Sequence, residues 1–507
     1  MILKTREWIY LTLICVVFTV VYYNTYDEKI AILGDNATYY ILGKGLSEFK
    51  GFVNYASPTQ TPHNHFPPGY PFLLSIVMLI VSDDMQVMKI LNGLLTLGIG
   101  LLSYFMIKRL TGKDILAAFI AVAIVMNANL LYYSSVMMSE VPFAFFTLLA
   151  LSILTRMSLE KPFFRDPYFF IVVGLIVFSF YMRAFGVALL GGVVVYFLTR
   201  KKWWHSIAAV GGFILGVIPW QIRSYQMGGS NQLNVMFRKN YYRPESGNID
   251  AVDLWERIII NFQRIFSIEL PEAIMPIINL SDETTNTVTK WLIGLIFLAI
   301  VIYGIKKMSS TGILVGGYLG FTILILFIWP DYFSSSRYLV PVIPILLISF
   351  YAGLYQLLNQ LTKSYTKRVQ FNPLFLLVFI FFFISPLKEL SKASRQNYSP
   401  QWAEFFALAE WSKTNIAEGA VVCSRKPNLF YLFSKHPSCN YRYTEDPDDL
   451  LDGLNRHKVD YVVFDQLGFS TTPRCLGKAI NTYQDRFKVI QYIGPEKRRT
   501  YFFDYNR

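Results

Sequence analysis

Two acidic residues in this sequence stand where a carboxylate could take a proton from a hydroxyl group. Asp35 follows Gly34 at the expected start of a short helix over 37–46. There its carboxylate either caps free backbone N–H groups or stands exposed for general-base chemistry. Glu140, in SSVMMSEVPF, opens another expected helix with Pro142 just inside it, a setting that capping and the helix dipole explain nearly as well as chemistry does. Three arginines could answer an anion: Arg183 in FYMRAF, Arg223 in PWQIRSY and Arg337 in SSSRYLVPVIP. A guanidinium grips phosphate through its planar fork. The plain alternative for each is snorkelling to lipid headgroups, because an arginine inside hydrocarbon costs roughly 2.5–3.5 kcal/mol at a helix centre. His63 and His65 are candidates for metal or phosphate, with polar loop residues as the commoner reading, and Tyr40 and His65 complete the candidate substrate-binding set.

The elements that must position these groups are membrane helices. Of 507 residues, 53% are hydrophobic, 17% aromatic and only 16% charged, gathered in recurrent apolar runs, which describes a polytopic α-helical membrane protein. The net charge of +13 then has a topological explanation, and no nucleic-acid partner is implied. Apolar segments at 8–23, 85–107, 115–133, 141–155, 168–181, 185–198, 207–220, 291–305, 313–329, 338–358 and 374–387 give about eleven spans. The first, flanked by Lys4 and Arg6 and lacking a small-residue cleavage site, reads as a retained anchor.

Segment 70–81 is apolar but about half the length a span needs. If it does not cross, the loops carrying Lys108, Arg109, Lys113, Arg156, Lys161, Arg165, Arg200, Lys201, Lys202, Lys306, Lys307, Lys363, Lys367 and Arg368 all share the side of Lys4 and Arg6. That is the distribution the positive-inside rule requires, so the Asp35 loop, Glu140, the loop 225–289 and the C-terminal region are expected outside. The short segments 141–155 and 185–198 predict tilted or broken helices beside a cavity. Within the loop 225–289, Trp255, Ile258, Ile259, Phe262, Ile265 and Phe266 recur at helical spacing opposite Glu256, Arg257, Gln263 and Arg264, the pattern of an interfacial amphipathic helix.

The chain divides into a transmembrane domain over 1–388 and a soluble α/β domain over 389–507. In the latter, strand-like runs at 420–423, 461–464, 489–493 and 501–503 alternate with helical patterns at 401–415, 448–457 and 476–487. Cys15, Cys423, Cys439 and Cys475 form no C-x-x-C pair, which argues against structural zinc. An extracytoplasmic C-terminal domain would permit one disulfide among its three. Walker, dinucleotide-binding and H-E-x-x-H motifs are absent, so no organic cofactor is implied, and room is left for a divalent metal.

GDNATYYILGKGL, HFPPGYPFLLSI, SSVMMSEVPFAFFTLLAL and SSSRYLVPVIPILLI, in that order, resemble the integral-membrane GT-C glycosyltransferases, in the branch holding protein O-mannosyltransferases and the lipid A aminoarabinose transferase. The resemblance covers roughly residues 8–358. It implies a GT-C fold with juxtamembrane helices in the first outer loop, and transfer of a sugar from a polyprenyl-phosphate donor to a lipid, glycan or protein acceptor. The reaction would take place at the outer face of the cytoplasmic (inner) membrane. It also implies Asp35 as general base and Glu140 in substrate positioning. Where protein O-mannosyltransferases carry an acidic pair, this chain has Asp35-Asn36, and their basic residue shortly after the Pro-Pro is absent. Mannose and a protein acceptor are therefore not implied. A transporter or flippase of lipid-linked substrates is the competing class, since it too would place arginines and acids beside a membrane cavity. Transporters commonly carry internal repeats, and the two halves here show no convincing self-similarity.

Overall fold

Among the described residues, seven helices are long and apolar enough to cross a bilayer: Thr5–Thr25, Met85–Thr111, Trp203–Gln226, Thr287–Lys307, Ser309–Ile328, Arg337–Ser364 and Pro373–Ser394. The computed structural model describes residues 5–228, 236–240, 247–333, 336–366 and 370–507. Lys4, Lys367 and Arg368, on which the charge argument draws, lie outside the described residues. An eighth crossing forms if Asp114–Val125 and Ala128–Ser134, bent by 58°, make one broken span. The break has a local cause. The Asn127 side chain accepts from Leu130 N at 3.2 Å, restarting the helix, and donates to the Ala273 carbonyl at 2.9 Å.

The other three expected spans are shorter apolar helices, Glu140–Leu154, Pro167–Met182 and Ala184–Thr199. At 1.5 Å per residue they rise only about 23 Å, less than the ~30 Å hydrocarbon core. By length and composition, then, seven or eight of the expected spans qualify and three fall short. Gly69–Ile80, the half-length segment, is likewise a short apolar helix.

The chain packs as two units. The first comprises Met1–Glu28, Asn64–Tyr70 and Gln86–Ser394. Among the described spans the most enclosed is Arg337–Ser364, in which 89% of the residues of its apolar 18-residue stretch are buried. Small residues bring its helices close: a Cβ on Gly192 would stand 2.6 Å from Tyr318 N, and one on Gly353 would stand 2.8 Å from Gly304 N. Membrane helices associate through such close approaches because lipid offers no hydrophobic drive between them.

The amphipathic helix is real and spans Ala251–Arg264, opened by a reciprocal cap between Asp250 and Asp253. Its polarity is inverted relative to a soluble protein. Arg257 and Asn261 are buried while Trp255, Ile259 and Phe262 are exposed, which suits an apolar face turned toward lipid. Asn261 donates to the carbonyls of Phe327 at 2.9 Å and Trp329 at 2.7 Å, satisfying the free end of the Ser309–Ile328 helix.

The second unit comprises Lys29–His63, Pro71–Met85 and Arg395–Arg507. Its sheet has strands β1 Val422–Cys423, β2 Ser438–Cys439, β3 Tyr461–Phe464, β4 Phe487–Ile493 and β5 Thr500–Tyr505 in the order β2-β1-β3-β5-β4. The first three are mutually parallel, and β5 and β4 are antiparallel. Helices Pro400–Asn415, Pro427–Ser434 and Pro447–Arg456 accompany it. The expected helix over 476–487 ends at Thr482, because Phe487 already belongs to β4. All four cysteines are free thiols, and the three C-terminal ones lie in the core.

Residues of the first loop complete this unit. Ser438 N donates to the Ala56 carbonyl at 2.7 Å, Asn428 Nδ2 to Thr38 Oγ1 at 2.9 Å, and the Tyr398 hydroxyl to the Ile30 carbonyl at 3.0 Å.

Candidate active site

In the helical unit, Glu140, Arg183 and Arg337 converge. Glu140 is the first residue of its helix and is fully buried. Its Oε1 receives Arg337 Nε at 2.5 Å and an Arg183 terminal nitrogen at 2.8 Å. The same Arg183 nitrogen donates to Ser139 Oγ at 3.0 Å. Glu140 Oε2 has no hydrogen-bond partner. One carboxylate facing two guanidiniums leaves the cluster with a net positive charge, the sign that an anionic substrate group requires. Phe185, Trp329 and Tyr338 wall it, with ring centres 5.0–5.9 Å apart, and the Arg183 guanidinium lies 5.9 Å from the Tyr338 ring.

The HFPPGY stretch explains how distant segments reach this arrangement. Tyr70 donates to Asn92 Oδ1 at 3.2 Å, and Asn92 Nδ2 donates to the carbonyls of Val136 at 2.7 Å and Met138 at 3.0 Å, holding the loop that ends at Glu140. Gly69 lies so close to the Tyr181–Met182 backbone that an added Cβ would stand 2.6 Å from the Tyr181 carbonyl. Two adjacent residues thereby tie down the approaches to both Glu140 and Arg183.

Arg223, in the last turn of its helix, stands against the Trp220 ring at 5.1 Å and makes no ion pair with Glu140. The His65 ring lies 4.8 Å from Phe66. Lys89, which no sequence motif singles out, is 1% exposed, lies over the Tyr26 ring at 5.1 Å and donates to the Asp27 carbonyl. Its signal is a lone cation inside an apolar run.

Asp35 and Tyr40 belong to the second unit. The helix carrying them spans Asp35–Ser47, and its N-cap is Gly34 at φ 95°, a backbone conformation that suits glycine. Asp35 is therefore the first helical residue, half-buried, and the Gly34 amide is taken by Asn36 Oδ1 at 3.2 Å. Tyr40 is buried and its hydroxyl donates to the Asp83 carbonyl at 2.9 Å. Lys44 pairs with Asp83 and Glu48, each at 2.9 Å. Among the described residues no group of three or more His, Cys, Asp or Glu side chains gathers as a metal site would.

Comparison with known proteins agrees with this architecture. The family model described as dolichyl-phosphate-mannose-protein mannosyltransferase matches residues 64–227, a stretch that includes His65, Glu140, Arg183 and Arg223. No curated protein matches the chain in sequence. Among solved structures, ArnT from Cupriavidus metallidurans bound to undecaprenyl phosphate superposes with a TM-score of 0.61 at 13% identity, over 99% of this chain and 98% of that one. The Archaeoglobus fulgidus oligosaccharyltransferase tethered to an acceptor peptide gives 0.56 at 11% identity, over 99% and 74%. The mycobacterial arabinofuranosyltransferase AftD gives 0.53 at 12% identity, over 99% and 42%. Along its length the chain therefore has the GT-C membrane fold that these solved structures share, and its residues 64–227 carry the match to the mannosyltransferase family model.

Proposed function

We propose that the chain transfers a sugar from a polyprenyl-phosphate-linked donor to an acceptor hydroxyl at the outer face of the cytoplasmic membrane, with inversion at the anomeric carbon. The observation that carries this reading is the Glu140–Arg183–Arg337 cluster, a net-positive group walled by aromatic rings in a helical unit. The undecaprenyl phosphate in the superposable ArnT structure supports a lipid-phosphate donor, and the distribution of lysine and arginine supports the outer face.

In this reading the acceptor oxygen attacks the anomeric carbon while Asp35 takes its proton. The bond from that carbon to the phosphate oxygen breaks, and the electron pair leaves with the lipid phosphate. Arg183 and Arg337 stabilise the charge developing there, and Glu140 holds the two guanidiniums in place. Arg223 and His65 contact substrate, and Tyr40 steadies the helix that presents Asp35. A single displacement needs no carboxylate nucleophile.

The test uses purified protein in lipid nanodiscs with a defined polyprenyl-phosphate sugar. Asp35→Asn is expected to bind donor normally while transfer falls at least ~100-fold, the lower end of what a general base supplies. Arg337→Ala is expected to weaken donor binding by roughly 1.5–3 kcal/mol, with lysine restoring only part. Transfer within a few-fold of wild type in Asp35→Asn would move the base to another carboxylate, Glu140 first. Donor affinity unchanged in Arg337→Ala would return that arginine to a structural ion pair.

A further inference from the structure

The second unit has a topological switch point that the reaction above leaves unused. Its parallel strands run in the order β2-β1-β3. The chain therefore leaves β1 through Pro427–Ser434 to β2 on one side, and passes through Pro447–Arg456 to β3 on the other. In open α/β sheets, ligands bind where connections diverge in this way, outside the carboxyl ends of the strands. Here that place is formed by the loops after Cys423 and after Phe464.

Those loops are cationic and interlocked. Arg425 Nε donates to Thr471 Oγ1 at 3.0 Å, and its guanidinium lies 4.3 Å from the Phe469 ring centre and 4.7 Å from that of Tyr443. Lys426 Nζ lies 4.9 Å from the same Phe469 ring. Neither cation has an ion-pair partner within 4.0 Å among the described residues. Burial and the adjacent Arg425 charge push the Lys426 ammonium below the usual lysine range, against the opposing pull of Asp35 and Asp465, so an arriving anion would relieve the part of the repulsion that these two carboxylates leave.

At the same strand ends, Ser424 is fully buried with Oγ unpartnered, a hydroxyl able to donate to an anion, while the Asp465 carboxylate, 2% exposed, accepts from Leu467 N at 3.1 Å and acts on Lys426 as a countercharge. Buried polar atoms without partners are rare and mark where a ligand or water completes the site. Lys426 Nζ also stands 3.7 Å from where a Cβ on Gly34 would lie, beside the helix start that carries Asp35.

We propose that Arg425 and Lys426 form an anion site at the ends of β1 and β3 that seats a phosphate or carboxylate borne by the acceptor, next to Asp35. The acceptor assignment rests on the reading of Asp35 as the base. The aromatic faces of Phe469 and Tyr443 hold the two cations in place before the ligand arrives, which lowers the entropy lost on binding. Acceptor choice then belongs to the C-terminal part of the chain.

Hydrogen exchange of the full chain in nanodiscs, read by mass spectrometry, tests this with inorganic phosphate, glucuronate and neutral glucose as probes. Phosphate or glucuronate is expected to slow amide exchange in peptides covering 424–430 and 465–472, while glucose does not. Whichever anion protects identifies the group the site takes. The protection should vanish in the double variant Arg425→Gln/Lys426→Gln. In Lys426→Gln alone, which keeps the aromatic packing of Arg425, it should need roughly tenfold more phosphate. Asp35→Asn should keep the protection, so loss of the base and loss of the anion site are read separately. Absence of protection by both anions, equal protection by glucose, or undiminished protection in both glutamine variants would overturn the proposal.

Discussion

Arg337 donates from Nε to Glu140 Oε1 at 2.5 Å across 197 residues of chain, and Arg183 reaches the same oxygen at 2.8 Å. Removing the carboxylate would leave two guanidiniums facing each other in a buried place. Glu140→Ala is therefore expected to cost about 3–5 kcal/mol, the range for breaking a buried ion pair on one side. Thermal unfolding in detergent should show this as a large drop in Tm, with Glu140→Gln, which keeps one acceptor and the shape, dropping less. An alanine variant that melts with wild type would mean that water, not Glu140, balances the arginines.

Gly69→Ala tests the clamp between the HFPPGY stretch and the Arg183 segment. The added methyl would meet the Tyr181 carbonyl at 2.6 Å, and overpacking of this kind costs roughly 1–3 kcal/mol. We expect lower stability together with weaker donor binding, because Tyr181 lies two residues before Arg183. Gly320→Ala, with open space around the new Cβ, serves as the control and should behave as wild type in both assays.

Asp465 gives a pH signature. Burial raises its carboxyl from its ordinary 3.8 to about 6, so between those values the folded chain binds a proton that the unfolded chain has already lost. Stability contributed by this site therefore falls as pH rises through that window, and the full penalty is present above about pH 6. At about 1.4 kcal/mol per unit the two-unit shift amounts to roughly 3 kcal/mol. Asp465→Asn should melt higher than wild type at pH 8, with the gap closing by pH 4. A gap independent of pH would show that the carboxyl titrates normally.

Membrane sidedness is testable by single-cysteine labelling in intact cells. Positions 47, 248 and 468 should react with an impermeant reagent from outside, and 161 and 363 only after permeabilisation, as the lysine and arginine distribution requires. Labelling of position 161 from outside would invert the arrangement.

Legibility in the sequence tracks the range of the interaction that shapes each element. Apolar runs mark helices because membrane insertion depends on summed local hydropathy, so every expected span is helical here. The strands β3, β4 and β5 are visible because each is a short run of β-branched and aromatic residues. Strand β2, Ser438–Cys439, is two residues long and has no period to detect, and Pro427–Ser434 is too short to stand out. The bend at Asn127 follows from a bond to Ala273, 146 residues away, which no window of hydropathy contains. Glu140, Arg183 and Arg337 are each conspicuous as ionisable groups near apolar runs, yet their meeting at one carboxylate oxygen is a property of helix packing. Arg425 and Lys426 attract no notice because basic residues before a proline in a soluble stretch are ordinary. Their setting comes from Phe469 and Tyr443, brought in from other loops.

The bond from Asn428 to Thr38 joins residues 390 positions apart, and this has a consequence for biogenesis. At about 5–20 residues per second of synthesis, the first loop is made roughly 20–80 s before the chain that packs against it. Throughout that interval every early span can insert while the segment bearing Asp35 lacks its structural support. A product cut short after residue 394 would keep the hydrophobic spans and lose the scaffold of that loop, so the loop can reach its native packing only once the C-terminal part of the chain has been made.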